Sequence, residues 1–211
     1  MKILITGGAT WVKVDDVRIL TSIFTGKTAF FLAEYFAAKG CEVTLLCNRH
    51  CLGSAIKKVT VVSFKYYHEL KKALEDTLNR NRYDLIIHSA AVSDYKVKRP
   101  REGKIASRKK EIIIRLGPLA KLTGIIRRLA KGACLVQFKL EVSRENLMQK
   151  ARSSLKTNRF DFVVANALGD LGSKYKAFII GRTNDIKEVN SKIALANYLV
   201  RQAALHRKNR P

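Results

Sequence analysis

Hydrophobic positions along this chain follow two alternating rhythms. Short β-branched runs, "KILIT" at 2–6, "EVTLLC" at 42–47, "VTVVSF" at 59–64 and "DLIIHSA" at 84–90, predict strands. Between them, at about 26–39 and 67–80, apolar residues recur every three to four positions and predict helices. The second half continues the alternation with strands at 111–116, 134–140 and 161–165 and helices at 118–131 and 144–158. "LIIHSAA" and "DFVVAN" are apolar on both faces, the pattern of parallel strands covered by helices on each side. Toward the end, "KAFIIGRTNDIKEV" predicts two strands joined by a polar turn, and "NSKIALANYLVRQAALHRK" a last helix capped by Asn190 or Ser191. The pattern is α/β: a parallel sheet flanked by helices, with a C-terminal β-hairpin extension. At 211 residues and 47% hydrophobic content, one domain over 1–211 is expected.

Such sheets take ligands beyond the carboxyl ends of their strands, so the segments that follow the strands are where chemistry is sought. "TGGAT" follows the first, "SAAVSDY" the strand at 84, "QFKLE" closes another and "AN" at 165–166 a fourth. Gly7 and Gly8 permit a tight turn and close approach of a ligand to the backbone. Some fifteen residues then intervene before the first helix, which departs from a dinucleotide fingerprint running straight into its helix. Thr25, with Gly26, stands at the helix start, placed to cap it and to present an anion with free amides. Ser89, Ala90 and Ala91 are small enough for a ligand to lie against the strand end. Asp94 is placed to hold a metal or a hydroxyl.

Charge sharpens this picture. With 41 Lys and Arg against 17 Asp and Glu, the net charge is +24, which implies anionic ligands. Eight of the cations fall between Lys96 and Lys110, on the loop that leaves Asp94. Among them Lys104, preceded by Gly103 as a hinge, is the candidate to neutralise a leaving pyrophosphate. Nucleic acid fits the charge, but no zinc-finger spacing, RNP-like strand or heptad-bearing basic region accompanies it. No apolar run approaches the roughly 18 residues that span a bilayer, and no signal-peptide pattern precedes the first strand, so a cytoplasmic protein with reduced thiols is expected. "CNRHC" offers metal-ligand types, yet Cys41 and Cys47 lie about 20 Å apart on a strand, too far to share one zinc. "YHELK" matches the Tyr-x-x-x-Lys of short-chain dehydrogenases but precedes the strand it should follow, and reads as a surface helix. His88, inside a strand, reads as a core residue.

Taken in order, "KILITGGAT", "VDDVR" at 14–18, "LTSIFTG" at 20–26, "IIHSAAVSDY" at 86–95, "GKIAS" at 103–107, "FKLEV" at 138–142 and "ARSSLKTNRFDFVVAN" at 151–166 resemble the phosphopantothenoylcysteine synthetase family, in particular its stand-alone bacterial branch. The resemblance implies a Rossmann-like fold, a homodimer, and a magnesium-dependent ligase that joins 4'-phosphopantothenate to cysteine through an acyl-nucleotide made from CTP, or from ATP. It implies that Gly8, Thr25 and Gly26 hold phosphates and that Ser89 and Ala90 contact the nucleotide. Asp94 and Lys104 would hold the nucleotide with its metal, while Phe138, Asn158 and Asn166 complete the nucleotide site. Ser22, Ala90 and Ala91 would face phosphopantothenate, and Lys104, Asp94 and Ser22 would carry the chemistry. Ser22 stands where the family has Asn, Ala9 and Ala29 where it has Gly, and Gln137 where it has the Gly before Phe138. Two other classes compete: an NAD(P)-dependent reductase of extended short-chain type, favoured by "ILITGGAT", and a non-catalytic nucleic-acid or nucleotide-binding relative, favoured by the charge.

Overall fold

The computed structural model describes residues 1–48, 57–108, 110–171 and 175–209. Twelve strands and five α-helices occur among them. The strands are β1 (Lys2–Gly7), β2 (Val12–Lys13), β3 (Ile19–Leu20), β4 (Glu42–Asn48), β5 (Val59–Phe64), β6 (Leu85–His88), β7 (Tyr95–Val97), β8 (Leu116–Pro118), β9 (Cys134–Glu141), β10 (Phe162–Ala167), β11 (Ala177–Gly181) and β12 (Ile186–Val189). The helices are α1 (Lys27–Ala38), α2 (Tyr67–Arg80), α3 (Leu122–Leu129), α4 (Leu147–Asn158) and α5 (Lys192–Lys208).

Eight strands form one sheet in the order β12-β11-β10-β9-β6-β1-β4-β5. The run from β10 to β5 is parallel throughout, and β11 and β12 add antiparallel to it. In chain order the six parallel strands read 3-2-1-4-5-6, the Rossmann arrangement, whose switch point lies between β1 and β6. Period-two alternation divides the core. Ile3, Ile5, Val43, Leu45, Leu85, Ile87 and Val136 face α1 and α5. Leu4, Leu46, Ile86, Leu135, Val163 and Ala165 face α2, α3 and α4. Both faces are covered, as the unbroken apolar runs require. Ser191 caps α5 by accepting the amide of Ala194 at 3.0 Å.

Two short ribbons, β2–β3 and β7–β8, stand outside the main sheet and pack their own small core of Val12, Val14, Val97 and Ile105. Here the expected strand at 111–116 is corrected. Residues 111–115 carry no strand and are exposed, and only Leu116–Pro118 pairs, with Tyr95–Val97. The β-branched run "EIII" has the propensity for a strand but no neighbour to accept it, because β6 passes directly to β9 in the main sheet. At the other end, β12 forms the margin of the sheet with Ile186, Lys187 and Glu188 exposed.

Candidate functional site

The chain continues past β1 and β6 as a zipped pair of loops. Ala91 donates its amide to the Gly8 carbonyl at 2.9 Å, Thr10 donates to the Ala91 carbonyl at 3.1 Å, and Ser93 N–H reaches Thr10 Oγ1 at 2.8 Å. Below them Thr6 is shared: its carbonyl accepts the Ser89 hydroxyl at 2.7 Å and its Oγ1 accepts the Ala90 amide at 3.2 Å. The small residues of "SAAVS" therefore serve the backbone pairing as well as leaving space above it. Thr6 Oγ1 also lies 2.8 Å from His88 Nδ1. Burial pushes His88 down to about 4, so the imidazole is neutral at physiological pH and is a core residue, as its place in a strand implied.

The start of α1 closes on this turn backbone to backbone. Gly8 and Gly26 both take left-handed φ, 78° and 79°. A Cβ on Gly26 would stand 2.6 Å from the Gly8 nitrogen, so only glycine fits. Gly7 likewise leaves room for the Ala29 methyl, which accommodates the alanine at that position. The expected Thr25 cap is corrected: the N-cap is Gly26, and no side chain caps α1. The first-turn amides consequently face outward with the positive end of the dipole, an anion-binding arrangement.

Beside this turn lies a cavity of about 330 Å³ bounded by Thr10, Ser22, Phe24, Ala91, Ser93 and Tyr95, among others, with no charged residue in its wall among the described residues. Ser22 and Ala91, 69 positions apart in sequence, thus meet across one space. Val12 of its wall packs with Ile105, which belongs to the cationic loop. Asp15 is 2% exposed and accepts the amides of Val17 at 2.9 Å, Arg18 at 2.7 Å and Ile105 at 3.0 Å, together with the Arg18 guanidinium. Asp16 accepts the Gly103 amide at 2.6 Å, and Arg18 donates to the Ile105 carbonyl at 3.2 Å. Lys104, exposed itself, is thus flanked by two hydrogen-bonded residues, Gly103 and Ile105. Burial opposes charge on Asp15, but the amides of Ile105 and Val17 and the Arg18 contacts outweigh it and hold the carboxyl at about 2. Sequence reasoning assigned Asp15 no role, because its partner Ile105 lies ninety positions away.

The remaining candidates are dispersed. Asp94 is exposed and ion-paired with Lys121, and its carbonyl accepts the Leu119 amide at 2.8 Å. Phe138 and Asn166 sit on the adjacent strands β9 and β10. The Asn166 carboxamide donates to the Lys176 carbonyl at 2.7 Å, and the buried Tyr175 hydroxyl lies beside the same carboxamide. Burial pushes that hydroxyl up to about 12. Asn158 lies behind the cleft: it donates to Gln137 at 2.8 Å and to Ser154 at 3.1 Å and accepts from Thr123 at 3.0 Å. Gln137 therefore fills its position with a buried polar network between sheet and helices. Among the described residues no group of three or more His, Cys, Asp or Glu is placed to hold a metal ion; residues 49–51 of "CNRHC" lie outside them. Tyr67 and Lys71 sit in α2, Tyr67 donating to the Ala120 carbonyl at 2.8 Å, and form no strand-end pair of the dehydrogenase kind. No helix is long and apolar enough to cross a membrane among the described residues.

A sheet of Rossmann strand order with a glycine-built turn at its switch point defines a doubly wound class of α/β protein. Within that class, the chain belongs to the family of the DNA/pantothenate metabolism flavoprotein C-terminal domain, whose model matches residues 1–205. The coenzyme A biosynthesis bifunctional protein CoaBC of Thermococcus kodakarensis is 32% identical over 184 residues, 86% of this chain and 45% of that protein. The chain spans about half the length of the curated CoaBC relatives it matches. Among solved structures, the DNA/pantothenate metabolism flavoprotein from Streptococcus pneumoniae superposes with a TM-score of 0.86 at 24% identity, covering 98% of this chain and 99% of that one. A histidine-to-alanine mutant of Cab2, in complex with phosphopantothenate-cysteine, gives 0.83 at 18% identity over 97% of this chain and 87% of that one.

Proposed function

We propose that this chain is a phosphopantothenate–cysteine ligase of coenzyme A biosynthesis, activating its acid substrate with CTP or, as the other candidate, ATP. The observation that carries the reading is the uncharged cavity between Ser22 and Ala91, set between the Gly8–Gly26 turn and the clamped cationic loop. A carboxylate is a poor acyl donor until one of its oxygens becomes a good leaving group, and transfer to the α-phosphate of a nucleotide accomplishes this with release of pyrophosphate. The cysteine amine then attacks the activated carbonyl carbon and expels the nucleoside monophosphate. Two anions must meet for the first step. Gly8, Thr25, Gly26, Ser89 and Ala90 would receive the nucleotide at the switch point, with Phe138, Asn166 and, from behind, Asn158 supporting it. Ser22 and Ala91 would face phosphopantothenate, and Lys104 would neutralise the departing pyrophosphate.

Asp94 suits a magnesium ion that arrives on the nucleotide: Mg²⁺ is commonly held by one or two carboxylates plus substrate phosphates, and an exposed carboxylate paired only with exposed Lys121 can exchange that partner. Bound there, the ion would supply further neutralisation of phosphate charge. A homodimer belongs to the same reading, supported by apolar side chains left in solvent on the two ribbons and their flanks, with Ile23 81% and Ile113 72% exposed.

The test is pyrophosphate release from CTP and phosphopantothenate, with and without cysteine. Release that requires phosphopantothenate supports the ligase, and Lys104→Ala should lower it about a hundredfold with the fold intact. Thermal stabilisation by NADPH in place of CTP with magnesium would reject the ligase in favour of a reductase.

A further inference from the structure

The largest cavity among those described lies at the opposite end of the sheet. It encloses about 540 Å³ at the amino end of β10, whose carboxyl end carries Asn166. Five cations line it: Arg127 from α3, Arg152 and Lys156 from α4, Arg159 from the turn after α4, and Arg182 from the turn after β11. Among the described residues no carboxylate shares the wall.

Simple features of the fold do not account for this convergence. Cations near a helix C-terminus offset the dipole, which covers Arg127, Lys156 and Arg159. Arg152 lies more than a turn inside α4, and Arg182 belongs to no helix. Some cations elsewhere are paired, as in Lys2–Glu42 at 2.8 Å and Lys13–Asp16 at 2.6 Å, and what sets this group apart is its convergence on one cavity. Among the described residues Arg127, Arg152, Lys156 and Arg159 have no acidic partner, so four like charges are held together without compensation.

The frame that holds them is ordered. Arg182 donates to the Arg159 carbonyl at 2.9 Å and the Phe160 carbonyl at 3.1 Å, and contacts Asp161 at 3.2 Å. Buried Asp161 in turn accepts the Leu135 amide at 2.7 Å. Arg159 and Asn184, at φ 53° and 64°, fix the two turns on either side of the opening. Phe160 and Leu155 give the cavity an apolar floor.

We propose that this cavity is a second anion site, independent of the ligase reading, which takes the oligophosphate group of a small molecule. Its volume lies in the range of small-ligand pockets. Guanidinium groups match phosphate oxygens bidentately, and four of the five cations are arginines. The phosphate chain is the recognised element; a nucleoside attached to it would rest on the apolar floor.

Inorganic triphosphate is the probe, titrated into the full chain labelled with ¹⁵N and read at the backbone amides of Arg159 and Asn184. Saturable shifts at these amides are expected, with affinity falling at least about tenfold in the Arg127→Glu/Arg152→Glu variant, whose spectrum elsewhere reports whether it is folded. Arg152→Lys should retain binding, separating charge from a packing role. A parallel titration with CTP distinguishes sources: equal affinity assigns the phosphate chain alone, and tighter binding adds the nucleoside. Shifts absent at Arg159 and Asn184, or reproduced by chloride at matched ionic strength, overturn the proposal. So does single-stranded RNA saturating the same amides at lower concentration than triphosphate. Pyrophosphate release is measured separately, so failure here leaves the ligase reading standing.

Discussion

On the readings proposed above, the two cavities would handle anions by opposite means. The one at the switch point has no charged wall residue; its anion-binding capacity comes from backbone, at the Gly8–Gly26 turn and the uncapped start of α1, and its cations stand on a loop clamped nearby. The one at the far end is walled by five cationic side chains and borrows little from the backbone. On the ligase reading the first site would release pyrophosphate and gain from charge held on an adjacent element, whereas a site that only binds could fix charge in place. The difference teaches that net charge alone, +24 here, does not locate chemistry.

Gly26→Ala should break the first site most severely. The added methyl meets the Gly8 nitrogen at 2.6 Å in a left-handed backbone, and a loss of about 4 kcal/mol is expected from combined strain and overpacking. Urea unfolding measures it, and triphosphate binding at Arg159 should survive in the protein that remains folded. Next comes the proton on His88, directly beneath the first site. Its folded value of about 4 lies below the ordinary 6.5, so the unfolded chain binds more protons between these limits, and stability declines as pH falls from 6.5 to 4 by about 3 kcal/mol. His88→Asn should flatten that slope in thermal melts.

Acid should then release the loop. Asp15 is held at about 2 against an ordinary 3.8, so its contribution is present above 3.8 and is lost as pH falls through 2. Asp15→Asn at neutral pH should mimic this, with hydrogen-exchange protection at Ile105 falling at least about tenfold and the far cavity unaffected. The smallest effect expected is Ser22→Asn, which restores an amide able to donate and accept; pyrophosphate release should rise about two- to fivefold, and a fall would show that the 20–26 segment is out of register with the family.

Most of the sheet was legible because each parallel strand is an apolar run bounded by a helix of different period, so β1, β4, β5, β6, β9 and β10 lie within a residue or two of expectation. The run at 111–116 misled because β propensity carries no information about whether a neighbouring strand is available. At the site, the glycines and small residues were readable as local requirements of a turn. Asp15 was not, since a carboxylate in a charge-rich stretch looks solvated until the contact with Ile105 is seen. Thr25 was misassigned as a cap because composition cannot distinguish a threonine cap from a left-handed glycine one residue later. The far cavity was invisible for a topological reason: residues 127, 152, 159 and 182 meet only once β10 and β11 have paired.

The margin formed by β12 has a bearing on how copies of this protein coexist. An open sheet edge is a template on which a second chain can add, yet here the terminal strand is four residues long and sets Lys187 and Glu188 outward in succession. A neighbouring copy approaching that edge would have to desolvate both ions for only a handful of backbone bonds. Polymerisation through that border is thereby discouraged even at high concentration in the cell, and any lasting self-association is steered to surfaces where side chains, rather than strands, make the contact.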